Sequence, residues 1–178
     1  PYTTLFRSSS TCLPWSRKYS AMAVAISAVT VRFAAMMPPN ALTGSQREAM
    51  TSFRMAVGPF GADGIPTTLA EGALDQSAYR LQTTDLSTLE LLQPLRAQIK
   101  RAGFEVLFEC ETEGCGGYDF RYGTALLPEP DMHVDLGDYL FLSAEKDGEV
   151  LSLLISRTAE AGFVQVTQVS AAAVPKAP

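Results

Sequence analysis

At 178 residues, 47% of them hydrophobic and 19% charged, the chain can close one ordinary hydrophobic core, which excludes an intrinsically disordered protein. Its net charge of −5 and pI near 4.9 argue against the clustered basic surface that nucleic-acid binding needs, so no nucleic-acid partner is expected.

The chain opens with PYTTLFRS (Pro1 to Ser8), which looks like the in-frame translation of a sequencing adapter, so residues 1–8 are set aside as an artefact. Residues 9–37 hold a leader-like pattern. Arg17 and Lys18 precede AMAVAISAVTVRFAAMM (Ala21 to Met37), whose 17 residues fall short of the ~20 that span a bilayer. A secretory signal peptide fits better than a buried helix. Cys12 reads as unpaired, and the Ser9-Ser10-Thr11 before it lacks the leucine of a lipoprotein signal.

Residues 38–66 are punctuated by Pro38-Pro39, Gly44, Gly58-Pro59, Gly61, Gly64 and Pro66, which predicts an extended lead-in with turns. Thr67 to Thr83 has strand character, with Leu69, Ala73, Tyr79 and Leu81 on one parity. Gly72 and Asp75-Gln76 predict a bulge, or a bend that divides the run into a hairpin.

A helix follows with signals at both ends. Ser87 is an N-cap and Glu90 completes a capping box. Leu92, Leu95, Ile99 and Ala102 form one apolar stripe, extended by Leu89 and Leu91. Gly103 ends the helix in the left-handed conformation with Phe104 folding back on Ile99, and Lys100 and Arg101 oppose the dipole. Pro94 predicts a kink or the start of a second helical segment.

Phe104 to Cys110 then alternates as a half-buried strand, with Phe104, Val106, Phe108 and Cys110 on the inner face. Cys110 and Cys115 flank Glu111-Thr112-Glu113-Gly114, a spacing that lets the chain fold back and join the two sulfurs. A metal is the alternative, with His133, the one histidine, as a third ligand. A structural zinc asks for about four ligands, so the spacing favours a disulfide and an oxidising compartment. A bond closing so short a loop is worth ~2 kcal/mol.

Tyr118, Phe120 and Tyr122 alternate as a short strand, and Pro128 and Pro130 break the chain. Tyr139 to Ala144 predicts a central strand, Lys146 to Glu149 a hairpin turn, and Val150 to Arg157 and Gly162 to Val169 two further strands. The tail AAAVPKAP (Ala171 to Pro178) reads as the start of an Ala/Pro linker.

Three clusters carry polar chemistry. His133 between Asp131 and Asp135 has the residue types for acid–base work, yet no nucleophile accompanies it, and a structural histidine fits better. Asp131, Asp135 and Asp138 are not spaced as a calcium loop and read as a solvated acidic turn. Tyr118, Phe120 and Tyr122 form either an aromatic platform for a sugar or peptide, or ordinary strand packing, which is preferred.

VGPF (Val57 to Phe60), EGAL (Glu71 to Leu74), LLQPLRAQIKRAGFEVLFEC (Leu91 to Cys110), CGGYDFR (Cys115 to Arg121), LPEPDMHVDLGDY (Leu127 to Tyr139) and SRTAEAGFVQVTQV (Ser156 to Val169) occur in this order. On these pieces the run from Gly58 to Val169 resembles the N-terminal region, of unknown function, of proteobacterial envelope proteins of the OmpA family. The resemblance implies export to the periplasm or outer membrane. It also implies contact with peptidoglycan through a C-terminal OmpA-like domain missing from this chain, with other envelope proteins as further partners. None of the peptidoglycan-binding residues carries over to a position here.

The expected fold class is α+β, one principal helix packed on an antiparallel sheet of roughly five strands, occupying residues 67–170, with the linker at 171–178. The expected function is a non-catalytic, structural or interactive envelope module with no cofactor or metal, and Cys110 and Cys115 as its only site pair. Two alternatives accompany it. One is a periplasmic enzyme or ligand-binding protein with a cleft near His133, Asp135 and Tyr139. The other is a cytosolic metal-binding domain using Cys110, Cys115 and His133.

Overall fold

The computed structural model describes residues 40–82 and 85–171. The adapter-like residues 1–8, the leader-like run in 9–37 with Cys12, and the linker beyond Ala171 lie outside them.

The elements are β1 (Asn40–Ala56), β2 (Thr67–Leu81), α1 (Thr88–Arg101), β3 (Glu105–Glu111), α2 (Thr112–Cys115), α3 (Gly117–Gly123), β4 (Tyr139–Lys146), β5 (Glu149–Arg157) and β6 (Gly162–Ala171). All six strands form one sheet in the order β1-β2-β6-β5-β4-β3, and every neighbouring pair is antiparallel. The architecture is α+β at the coarse level, but the sheet dominates it. Among the described residues six strands replace the expected roughly five, and α1 is one of three helices.

The sixth strand corrects the reading of residues 38–66 as a lead-in. Only 57–66 is a turn, closed by Val57 N–H donating to Pro66 O at 2.8 Å and by the paired Gly61 and Gly64. Asn40–Ala56 pairs along β2 with register shifts between Leu42 and Gly44 and between Glu48 and Thr51. The bulges therefore lie in β1, whereas β2 runs against β6 without a break from Gly72 to Leu81. Of the expected parity set in β2 only Leu81 is fully buried. Ala70, Gly72, Leu74, Gln76 and Ala78 are buried and Leu69 is 53% exposed.

The helix follows its signals closely. Ser87 N–H donates to Glu90 Oε2 at 2.8 Å and Glu90 N–H to Ser87 Oγ at 3.2 Å, a reciprocal cap. At the other end Gly103 has φ +86°, Gly103 N–H reaches Lys100 O, and Phe104 N–H reaches Ile99 O. This is the Schellman pattern. Lys146 Nζ donates to Ala102 O at 2.6 Å, adding a cation at the helix C-terminus. The helix runs unbroken through Pro94. Leu91, Leu92, Leu95 and Ile99 are buried against β3, β4 and β5, while Leu89 faces outward.

Exposure along β3 alternates as expected, with Val106, Phe108 and Cys110 part-buried, but its pairing with β4 is irregular. A register shift sets Val106 opposite Ala144 and Phe108 opposite Ser143, consecutive residues of β4. Val106 and Phe108 therefore face opposite sides of the sheet. Tyr118 to Tyr122, expected as a strand, is helix α3. Its i and i+4 tyrosines lie outward and Phe120 is fully buried. The β4–β5 turn has Asp147 at φ +50° and Gly148 at φ +82°, the two positive angles of a type I′ hairpin.

Residues 112–138 cross the face of the sheet opposite α1. Cys115, Phe120, Leu127 and Met132 from this crossover share one buried cluster with Ala78, Tyr139, Phe141, Leu154 and Phe163 of the sheet.

Candidate functional site

Two arrangements on that crossover face gather the chain's chemistry. The first is the cysteine knuckle. Cys110 and Cys115 sulfurs lie at bonding distance, 2.00 Å, across a Cα separation of 5.2 Å. Cys110 ends the half-buried β3 and Cys115 is fully buried. Beneath them Phe108, Phe120 and Phe141 meet with centroids 5.1 to 6.4 Å apart. The Tyr139 hydroxyl lies 3.0 Å from the carbonyl oxygens of both Thr112 and Gly117, and burial raises its pKa above the usual phenol value. Phe60 N–H donates to Cys115 O at 2.7 Å, and a side chain at Gly116 would collide with Phe60.

The second is a polar clip under residues 124–138. Gln165 accepts from Leu127 N–H at 2.8 Å and donates to Ala125 O and Thr167 Oγ1, each at 3.1 Å. Gln76 donates to the same two acceptors at 3.2 and 3.1 Å. Ser156 Oγ accepts from Asp135 N–H and donates to Asp138 O. Thr43 Oγ1 lies 2.6 Å from Asp131 O, and Gly44 leaves the space that the Asp131 side chain fills. Beside the clip lies a cavity of about 20 Å³, lined in part by Met55, Thr124, Ser152, Gln165 and Thr167. That volume accommodates roughly one water molecule and no organic ligand.

The residues singled out in the sequence do not converge. His133 Nδ1 is 2.8 Å from Glu129 Oε1, and its ring lies 5.5 Å from that of Phe163. The Asp135 carboxylate accepts from Gly137 N–H and closes a turn, while the Tyr139 hydroxyl is in the knuckle. Asp138 accepts from Thr88 Oγ1 at 2.8 Å and faces Arg157 at 3.6 Å, tying the start of α1 to β5. The three aspartate side chains thus make three separate contacts. Among the described residues no group of three or more His, Cys, Asp or Glu could hold a metal ion. Tyr118 and Tyr122 pair at 4.4 Å on the surface, with Arg121 over Tyr122 at 5.2 Å.

The sequence reading missed the clip altogether. Gln76 and Gln165 stand 89 positions apart in strands read for their apolar residues, and only the β2–β6 pairing brings them together. An uncharged glutamine within a buried strand was the one available signal, since such a group needs partners. No protein-family model matches the chain, and no curated protein is significantly similar to it.

Proposed function

We propose that this chain is a non-catalytic module of a bacterial cell envelope, exported to the periplasm or the outer membrane, with a structural or interactive role. The observation that carries the reading is the knuckle. Paired sulfurs that tie the half-buried edge strand β3 to fully buried Cys115 are a stabilising device suited to an oxidising compartment. The order of the segments from Val57 to Val169 that resemble OmpA-family envelope proteins adds support. In the same reading, peptidoglycan is reached through a further C-terminal domain and other envelope proteins are the remaining partners. The engagement of His133, Asp135 and Tyr139 in separate contacts favours this role over an acid–base site.

Thiol trapping in intact cells tests the compartment. Cys110 and Cys115 should resist maleimide until a reductant is added, and the protein should fractionate with the envelope. Free thiols and a cytosolic protein would overturn the proposal. Sequencing the gene past the Pro178 codon tests the peptidoglycan link. An OmpA-like domain is expected there, and a stop codon would remove that part of the reading.

A further inference from the structure

Among the described residues only Thr112 and Asp147 are non-glycine residues with positive φ. Asp147 sits in a type I′ turn, where aspartate is an ordinary choice. Thr112 is different. It is β-branched, has φ +33°, and lies between the two bonded cysteines. The knuckle holds two more left-handed positions, Gly116 at φ +115° and Gly117 at φ +56°, and glycine occupies both. Threonine stands where the same backbone favours a residue without a branched Cβ.

We propose that Thr112 spring-loads the Cys110–Cys115 bond, making the knuckle a redox-sensitive latch on the crossover face. With the bond closed, the short loop is fixed at both ends, by Cys110 in β3 and by fully buried Cys115. Thr112 has no freedom to relax. With the bond open, residues 111–114 lose that closure and Thr112 returns to the right-handed or extended region. The closed form alone carries the backbone cost, so the equilibrium with a dithiol is displaced toward the thiols.

The reductant is a dithiol, either a small molecule or a dithiol oxidoreductase. Its thiolate attacks Sγ of half-buried Cys110, forming a mixed disulfide and expelling the Cys115 thiolate, which takes up a proton. The second thiol of the reductant loses its proton and displaces Cys110. The products are two protein thiols and one reductant disulfide. Opening also frees the ring of contacts that the bond holds in place, namely Phe60 N–H on Cys115 O and the Tyr139 hydroxyl against Thr112 O and Gly117 O. The latch thereby links thiol state to the seating of Phe120 on the core. This inference does not depend on where in the cell the protein resides.

The test is the equilibrium constant for reduction of the full chain by dithiothreitol, read by thiol alkylation and mass, in wild type, Thr112→Ala, Thr112→Asn and Thr112→Gly. Relief of the left-handed strain should stabilise the disulfide by about tenfold in Thr112→Asn (~30 mV for a two-electron couple). Thr112→Ala should fall between Asn and wild type. Thr112→Gly should shift the same way as Asn. Asn is the decisive variant, because it tolerates the left-handed region without glycine's added freedom in the open loop. Constants within twofold of wild type for Asn and Gly would overturn the latch. So would equal stabilisation of the oxidised and reduced proteins by Asn in denaturant titrations, which would mean that Thr112 keeps its conformation when the bond is open.

Discussion

Toward α1 the central strands present Leu142, Leu151, Leu153 and Ile155 to Leu91, Leu92, Leu95 and Ile99; toward residues 124–138 the sheet presents Gln76, Ser156, Gln165 and Thr167 among its apolar side chains. A helix bonds its own backbone groups, so apolar contact alone can seat it. An irregular crossover cannot, and its buried N–H and C=O groups need partners supplied by the strands beneath. The difference accounts for Gln76, Ser156 and Gln165, whose side chains bond the crossover backbone. It also predicts how each covering fails.

The largest loss is expected on the helix side. Leu95→Ala should cost about 2–5 kcal/mol and lower the denaturant midpoint of the whole domain. Gln165→Leu should cost about 2–3 kcal/mol, because Leu127 N–H is left buried without an acceptor. Here the signature is local. Amide exchange should accelerate across residues 124–138 while α1 stays protected, and equal acceleration in α1 would erase the distinction between the two coverings. Replacing Cys110 and Cys115 together by Ala should cost ~2 kcal/mol, with the loss concentrated in α2 and α3.

Smaller effects probe the end of α1. Ser87→Ala should cost about 1 kcal/mol, measurable by thermal melting. Glu90 has its carboxyl held below the usual carboxylate range by hydrogen bonds from the Ser87 amide and hydroxyl. A depressed folded-state pKa contributes stability that is present above the unfolded-state value and lost as pH falls through the folded one. Glu90→Gln should therefore flatten the acid limb of the stability profile, and an unchanged acid limb would contradict the cap.

The elements legible in the sequence are those whose signals are local. The α1 ends rest on Ser87, Glu90 and Gly103 within a few residues, and the β4–β5 hairpin rests on Asp147-Gly148. The β1 strand was hidden because its polar residues, the glycine at 44 and two register shifts resemble punctuation, and its pairing with β2 alone makes it a strand. The burial of β2 was not legible because small and polar residues, Ala70, Gly72, Gln76 and Ala78, occupy much of its buried side while Leu69 is exposed. Tyr118, Phe120 and Tyr122 satisfy both alternation and the i, i+4 spacing, and the left-handed backbone at Gly116 and Gly117 begins a helix there. The paired cysteines were visible from their spacing. The clip was not, since its members meet only through long-range pairing.

The sheet order places β6 between β2 and β5. Neither the early hairpin of β1 and β2 nor the later ladder of β3, β4 and β5 touches the other along a strand edge, and both wait for residues 162–171 to join them. During synthesis two half-sheets with open edges must persist until nearly the last described residue has left the ribosome. Closure by pairing so far apart in sequence is a long-range, slow kind of step.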